Sequence, residues 1–269
     1  MKRIYSTIIA LIATLTISAQ TIKVYEYDEN GNLNNSPAYT SSKKVKVIFT
    51  EDKQEEHEWV DLGLPSGTLW ATCNVGASKP EEYGDYFAWG ETSGYNSGKT
   101  TFNWSTYKWM NTGQSSWTEI NKYTYADGKT SGCWYSNGIF IGDGKTTLES
   151  SDDAATINWG SAWCMPSFDQ IKELYNSSYT TTEWIRMNGV NGRKITSKSN
   201  GKSLFLPAAG YHDYDAIELT CSSGYYWSSS LYPLISHSAI SLCLHSDGID
   251  YFNNARINGL SVRPVRAKE

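Results

Sequence analysis

The sequence predicts an α+β protein in which two short helices are set among many short antiparallel strands, preceded by a small N-terminal β unit. Three observations carry this. Aromatic residues make up 14% of the chain, with 11 Trp and 19 Tyr, so the core is built from large flat rings and not from the aliphatic stripes of a helical bundle. The 22 Gly and 7 Pro punctuate the chain into short elements. Apolar residues recur at helical spacing in only two places. A hydrophobic share of 39% against 19% charged residues supplies a folded core and excludes global disorder.

The N-terminus carries Lys2 and Arg3, then an apolar run over 4–17, then Ser18, Ala19 and Gln20. A charged start, a short apolar core and small residues before a cut mark a secretory signal peptide. Residues 1–19 are therefore expected to be removed and the protein exported, to periplasm, cell surface or medium. No later stretch is apolar enough to suggest a membrane span. Residues 20–50 read as a small β-hairpin unit, with alternation over 21–27 and 44–49 and an Asn30-Gly31 pair suited to positive φ. Two strands seldom stand alone, so this unit is expected to pair further or to dock on its neighbour. Residues 51–58 form a charged linker, and the main domain is expected over 59–269.

Within the main domain the first helix is expected over 151–159. Ser151 would cap it, and Asp152 and Asp153 suit a helix N-terminus. The second is expected over 167–177, where Ser167 and Gln170 have capping-box spacing and Phe168, Ile171, Leu174 and Tyr175 share one face. Strands are expected over 204–207, 224–230 and 239–245, with a closing strand over 261–265. Trp59, Trp70, Trp89, Trp163 and Trp227 are the expected packing rings. There is no tandem repeat.

Several runs occur in a recognisable order: WVDLGLPSGTLWA at 59–71, NVGA at 74–77, YGDYFAWGE at 83–91, DDAA at 152–155, WCMP at 163–166, LPAAG at 206–210, YWSSS at 226–230 and GLSVRPV at 259–265. In this order they resemble the Fibrobacter succinogenes major paralogous domain family, which is common in secreted proteins of Bacteroides-type bacteria. The resemblance covers nearly all of 59–266. It implies a C-type-lectin-like fold, related to the formylglycine-generating-enzyme branch. Some relatives on this fold are variable proteins of diversity-generating retroelements, which display mutable side chains near the C-terminus. The chain departs from the family at Cys164, where members often carry Arg before Met-Pro, so only a packing role is expected there.

The segment 231–258 has an unusual content for a connection. Tyr232, Leu234, Ile235, Tyr251, Phe252 and Ile257 are large and apolar, and His237, Ser241, Cys243, His245, Asp247 and Asp250 are interleaved. If Ile240, Leu242 and Leu244 face the core, alternation turns Ser241, Cys243 and His245 outward. These twelve residues are the candidate ligand-binding set, because aromatic rings bury much area at low entropic cost. The competing reading is that the apolar members fill the domain's own core. Adenine-directed mutagenesis of Asn codons yields Tyr, Leu, Ile, Ser, His, Cys, Asp and Phe, the mix present here, and leaves Asn253, Asn254 and Asn258 as unchanged remnants.

Other functions find less support. A net charge of -5 with no basic run disfavours nucleic acid. The five Cys (Cys73, Cys133, Cys164, Cys221 and Cys243) include no CxxC, leave at least one unpaired, and read as small buried side chains, with one disulfide left open. They do not map onto the reactive cysteines of the formylglycine-generating relatives. No Ser sits in a GxSxG, and four His without HExxH do not suggest a catalytic metal. Asp143, Glu149, Asp152 and Asp153 are oxygen donors close in sequence, but turn and helix-cap chemistry explains them more simply than calcium. The Glu-Pro-Asn and Gln-Pro-Asp tripeptides of calcium-dependent lectins are absent. The expectation is an exported, non-enzymatic binding protein without a cofactor, whose partner is a protein or glycan ligand at a surface. A structural or adhesin (fimbrial-tip-like) surface subunit is the alternative, and an enzyme of the formylglycine-generating type is the third, less favoured reading.

Overall fold

In the N-terminal unit, β1 (Ile22–Tyr27) lies between β2 (Leu33–Asn34) and β3 (Val45–Phe49), both antiparallel to it. The structure is a computed structural model that describes residues 22–27, 33–34, 45–49, 57–129 and 132–268. The expected signal segment and the Asn30-Gly31 turn lie outside these residues. Of the two expected strands, 21–27 and 44–49, each has its counterpart, and the short β2 supplies the further pairing. The chain divides into two units, Met1–Glu55 and Glu56–Glu269.

The second unit is made mostly of short antiparallel strands with two short α-helices. In chain order these are β4 (Trp59–Asp61), β5 (Leu69–Ala71), β6 (Tyr86–Phe87), β7 (Tyr135–Ser136), β8 (Ile139–Phe140), α1 (Ala154–Trp159), α2 (Phe168–Tyr175), β9 (Thr180–Met187), β10 (Val190–Ser197), β11 (Ser203–Pro207), β12 (Tyr211–Asp213), β13 (Ala216–Glu218), β14 (Ser223–Leu231), β15 (Ser238–His245), β16 (Gly248–Ala255), β17 (Leu260–Ser261) and β18 (Val265–Arg266). The largest sheet has the order β16-β15-β14-β17-β6, so β16 is an edge strand. Two three-stranded sheets, β18-β5-β4 and β11-β10-β9, accompany it.

The second helix starts as its sequence requires. Ser167 Oγ accepts from the Gln170 amide (3.2 Å), and Gln170 Oε1 accepts from the Ser167 amide (2.8 Å). The first starts later than expected. Ser150–Asp152 forms a 3-10 turn, and Asp153, not Ser151, caps α1 by accepting from the Thr156 amide at 2.9 Å. The other Asp153 oxygen accepts from the Met165 amide at 2.8 Å, which ties the helix start to the WCMP run. The hairpin β9–β10 turns at Asn188 and Gly189 with φ of 46° and 88°, the type I′ geometry that suits strand twist.

The expected closing strand over 261–265 is two strands in different sheets. β17 pairs with β6 and β14, whereas β18 pairs with β5. Between them Arg263 is fully buried and donates to Asn74 Oδ1 (2.8 Å) and to the carbonyls of Ala71 (3.1 Å) and Thr72 (2.7 Å). A guanidinium that far from water needs these acceptors, so the chain leaves the first sheet to deliver it.

Aromatic burial follows the two faces of the large sheet. On one face Tyr226, Leu242 and Leu244 pack with Ile171 and Leu174 of α2 and with Trp70. On the other, Trp227 and Leu231 pack with Phe87, Trp89, Trp163 and Val262. Trp89 and Trp227 lock the layers reciprocally. The Trp227 indole donates to the Phe87 carbonyl (2.7 Å), and the Trp89 indole donates to the Ser228 carbonyl (2.8 Å). Trp59 alone of the five expected packing rings is exposed, at 47%. Buried Arg256 holds the segment around 107–123, donating to Tyr107 Oη (2.9 Å) and to the Tyr123 (3.1 Å) and Lys122 (2.9 Å) carbonyls.

Candidate functional site

The hairpin β15–β16 at the edge of the large sheet carries most of the candidate residues. Its register pairs Cys243 with Asp250 and Ser241 with Phe252, while β14 pairs Tyr225 with Cys243 and Trp227 with Ser241. Paired residues share a face and neighbours alternate. Tyr225, Cys243 and Asp250, followed by Trp227, Ser241 and Phe252, therefore lie on one face. Tyr226, Leu242 and Tyr251 lie on the other.

On the first face Trp227 is fully buried in the core cluster, whereas Tyr225 and Tyr211 are half-buried at its border. Together with Phe252 they form a row of three rings. Tyr211 and Tyr225 meet at 5.2 Å between centroids, and Tyr225 and Phe252 at 6.5 Å, with interplanar angles of 71° and 66°. Tyr211 and Tyr225 are half-buried, and Phe252 is 52% exposed. Carboxylates stand at both ends. Tyr211 pairs across the β12–β13 hairpin with Glu218 and shares its face with Asp213. Asp250 flanks the other end, its Oδ1 accepting from the Tyr251 amide at 2.7 Å on the edge strand.

The electrostatics of the row oppose nucleophilic chemistry. Burial, followed by the neighbouring Cys243, pushes the Tyr225 phenol up to about 12. Burial raises Tyr211, with Asp213 and Glu218 adding to it. Burial also raises the Cys243 thiol, so at neutral pH it carries its proton and is a weak nucleophile. What remains is ring faces, ring edges and carboxylates, a set suited to reversible contact.

The twelve sequence-derived residues separate into groups. Cys243, Asp250 and Phe252 lie on the open face. Tyr251 lies on the opposite face, 5.0 Å from the Phe168 ring of α2. His245 and Asp247 sit at the hairpin turn. There the Arg193 guanidinium donates to the carbonyls of His245 (2.6 Å) and Ser246 (3.1 Å). Tyr232, Leu234 and Ile235 belong to the connection before β15, next to a cleft of about 460 Å³ lined by Tyr125, Phe168, Leu231, Pro233 and Ile240. Leu234 is 69% exposed. His237 is half-buried, its ring 4.7 Å from Trp117, and burial lowers its pKa, with Lys129 and Arg256 adding to it.

Two residues are corrections. Ser241 is completely buried, because it lies between Trp227 and Phe252 and donates to Asn254 Oδ1 at 2.7 Å. Alternation assigned its face correctly but could not reveal that this part of the face is covered. Ile257 is buried in a third core cluster with Phe102, Tyr107 and Ile120. Sequence reasoning missed Tyr211 and Tyr225. The signal for Tyr225 was present, since a Tyr226 that faces inward turns its neighbour outward.

The other sequence candidates are accounted for locally. Asp143 accepts from the amides of Tyr123 and Thr124 (2.9 and 2.8 Å). Asp152 accepts from Tyr123 Oη and Lys122 Nζ (2.5 Å each), and Lys122 Nζ also reaches Glu149 at 2.6 Å. With Asp153 spent on caps, the four carboxylates serve turns, caps and lysines, and among the described residues no group of three or more His, Cys, Asp or Glu is gathered for a metal. All five cysteines are free thiols, so the disulfide left open by the sequence does not form.

His212 is the one buried imidazole with neither nitrogen hydrogen-bonded among the described residues. It is 1% exposed and boxed by Tyr95 (4.3 Å), Phe102 (5.0 Å) and Tyr86 (5.1 Å). Burial holds its pKa below the ordinary 6.5. Comparison with known proteins finds no family model, no curated protein and no solved structure that matches the chain.

Proposed function

We propose that the chain is an exported, non-enzymatic binding protein that takes a ligand reversibly on the Tyr211–Tyr225–Phe252 row of a C-type-lectin-like body. The observation that carries this reading is the row itself: Tyr225 and Phe252 of the large sheet adjoin Tyr211 of the β12–β13 hairpin, beside the fully buried Trp227. An apolar surface left open beside a well-packed core is a characteristic of recognition sites. The raised Cys243 thiol makes that residue a weak nucleophile, which fits reversible contact on the row. The ordered runs from WVDLGLPSGTLWA to GLSVRPV support the fold-family reading, and the Lys2 to Ala19 segment supports export. Diversification of 231–258 remains part of this proposal at Cys243, Asp250 and Phe252, the members of the set that lie on the row's face.

The rings alone give modest affinity. About 150–200 Å² of newly covered ring surface corresponds to about 4–5 kcal/mol. Association costs offset most of that, so polar groups around the row must add to it. The test is a screen of the exported protein against glycan, peptide and cell-surface arrays, repeated with Phe252→Ala and Tyr225→Ala. Both variants are expected to weaken capture about tenfold or more; Phe252→Ala is expected to keep the wild-type melting temperature within a few degrees, and Tyr225→Ala, whose ring also packs against the core, to lower it. Captured ligands whose affinity is the same for wild type and both variants would place the site elsewhere.

A further inference from the structure

From Ser203 to Ala255 the chain carries no Lys and no Arg, yet it carries Asp213, Asp215, Glu218, Asp247 and Asp250. This stretch supplies all three rings of the row and the carboxylates at both of its ends. Among the described residues, none of the five carboxylates forms an ion pair. The nearby cations are committed elsewhere. Arg193 is buried beneath the hairpin turn, donates to Thr182 Oγ1 (2.9 Å) and to the His245 and Ser246 carbonyls, and its charge also acts on Asp247, which leaves Asp213, Asp215, Glu218 and Asp250 as the uncompensated carboxylates. Lys172 lies on α2, across the sheet, and pairs with Asp169 at 2.6 Å.

We propose that the row receives a lysine or arginine side chain presented by an extended segment of a partner protein. This deepens the binding reading above and rests on it. The chemistry is complementary at each point. Ring faces carry negative potential and attract ammonium or guanidinium groups. Each edge-to-face contact, at 71° and 66°, occupies one face of one ring, so the pairs do not cover both faces of every ring. Asp213 and Glu218 at one end and Asp250 at the other complement cations at either end of the row. An extended segment suits the geometry because the row runs from the β12–β13 hairpin across β14 to the edge strand β16 and does not line a closed pocket. A neutral glycan would meet the rings and donate hydroxyl hydrogen bonds to the carboxylates, but it would leave their charge uncompensated. An acidic partner would meet uncompensated like charge.

The experiment uses three surface-immobilised decapeptides in which Ser alternates with Lys, Gln or Glu. Full-length mature protein is titrated over them at low and at high salt. The lysine peptide is expected to bind, the glutamine peptide to bind about tenfold or more weakly, and the glutamate peptide not at all. Raising the salt is expected to weaken the lysine complex. Asp250→Asn and the double variant Asp213→Asn with Glu218→Gln are each expected to lower affinity several-fold, with melting temperatures unchanged. Asp169→Asn, an equal loss of charge on another face, is expected to have no effect. No binding of the lysine peptide at about 1 mM overturns the proposal, as does equal binding of the lysine and glutamine peptides, or an equal loss in Asp169→Asn. If other ligands are captured through Phe252 but ignore Asp213, Glu218 and Asp250, the cationic partner is wrong and the binding row stands. If Phe252→Ala leaves every captured ligand unaffected, the row itself is wrong.

Discussion

Tyr225 and Trp227 lie two residues apart on the same face of β14, yet Trp227 is wholly sealed while Tyr225 reaches the open row with Tyr211 and Phe252. The difference comes from what lies over each. Trp227 packs among Phe87, Trp89, Trp163 and Val262 and is held by its indole hydrogen bond to the Phe87 carbonyl. Tyr225 only borders that cluster and is half-buried. One strand thus contributes a packing ring and a surface ring within a single alternation period.

This contrast predicts opposite effects of the same truncation. Trp227→Ala removes a buried indole and a buried hydrogen bond and is expected to cost about 3–5 kcal/mol. Phe252→Ala removes a half-exposed ring and is expected to cost about 1 kcal/mol or less. Urea denaturation of both variants checks the pair, and equal losses would contradict the layer described here.

Ser241→Ala tests the correction made to the sequence-derived site. It leaves the buried Asn254 carbonyl oxygen without its 2.7 Å donor. The expected result is a stability loss of about 1–2 kcal/mol with unchanged ligand affinity. A selective loss of affinity would return Ser241 to the binding face.

Asp153→Ala removes the cap of α1 and the acceptor of the Met165 amide together. Two orphaned amides predict a loss of about 2–4 kcal/mol, larger than a single surface cap would give. Chemical denaturation measures it, and a loss below about 1 kcal/mol would show that solvent reaches those amides.

His212 predicts a pH dependence. Its folded-state pKa lies below the ordinary 6.5 because its ring is buried among aromatic side chains. Below pH 6.5 the unfolded chain takes up the proton before the folded chain does, so stability falls as pH drops from 6.5 toward the folded-state pKa. His237 shifts in the same direction and contributes likewise. In His212→Phe the loss of stability between pH 7 and pH 5 is expected to be smaller than in the wild type. An identical pH profile would mean that this ring is not the acid-sensitive group.

Local chemistry made part of this structure legible in advance. Ser167 and Gln170 announce the start of α2, and the alternation of Ile240, Leu242 and Leu244 gives the correct inward face of β15. The hairpin at Asn188 and Gly189 carried its turn signal, but the mixed polar faces of β9 and β10 obscured the strands around it. Other features depend on contacts between distant segments. Nothing near Ser241 records that Asn254 will cover it, and nothing near Val262 records that Arg263 must reach Asn74. Tyr211 joins the row only because β12 lies beside the start of β14, where Gly210 bridges Gly224.

The central claim is that the open rings, and not the hairpin turn or the cleft near Pro233, meet the ligand. The most direct measurement is hydrogen exchange of the protein with and without its captured partner. Slowed exchange concentrated in Tyr211–Asp213, Ser223–Leu231 and Gly248–Ala255, and lost in Phe252→Ala, is the predicted result. Protection confined to the 232–237 connection, or unchanged by Phe252→Ala, would contradict it.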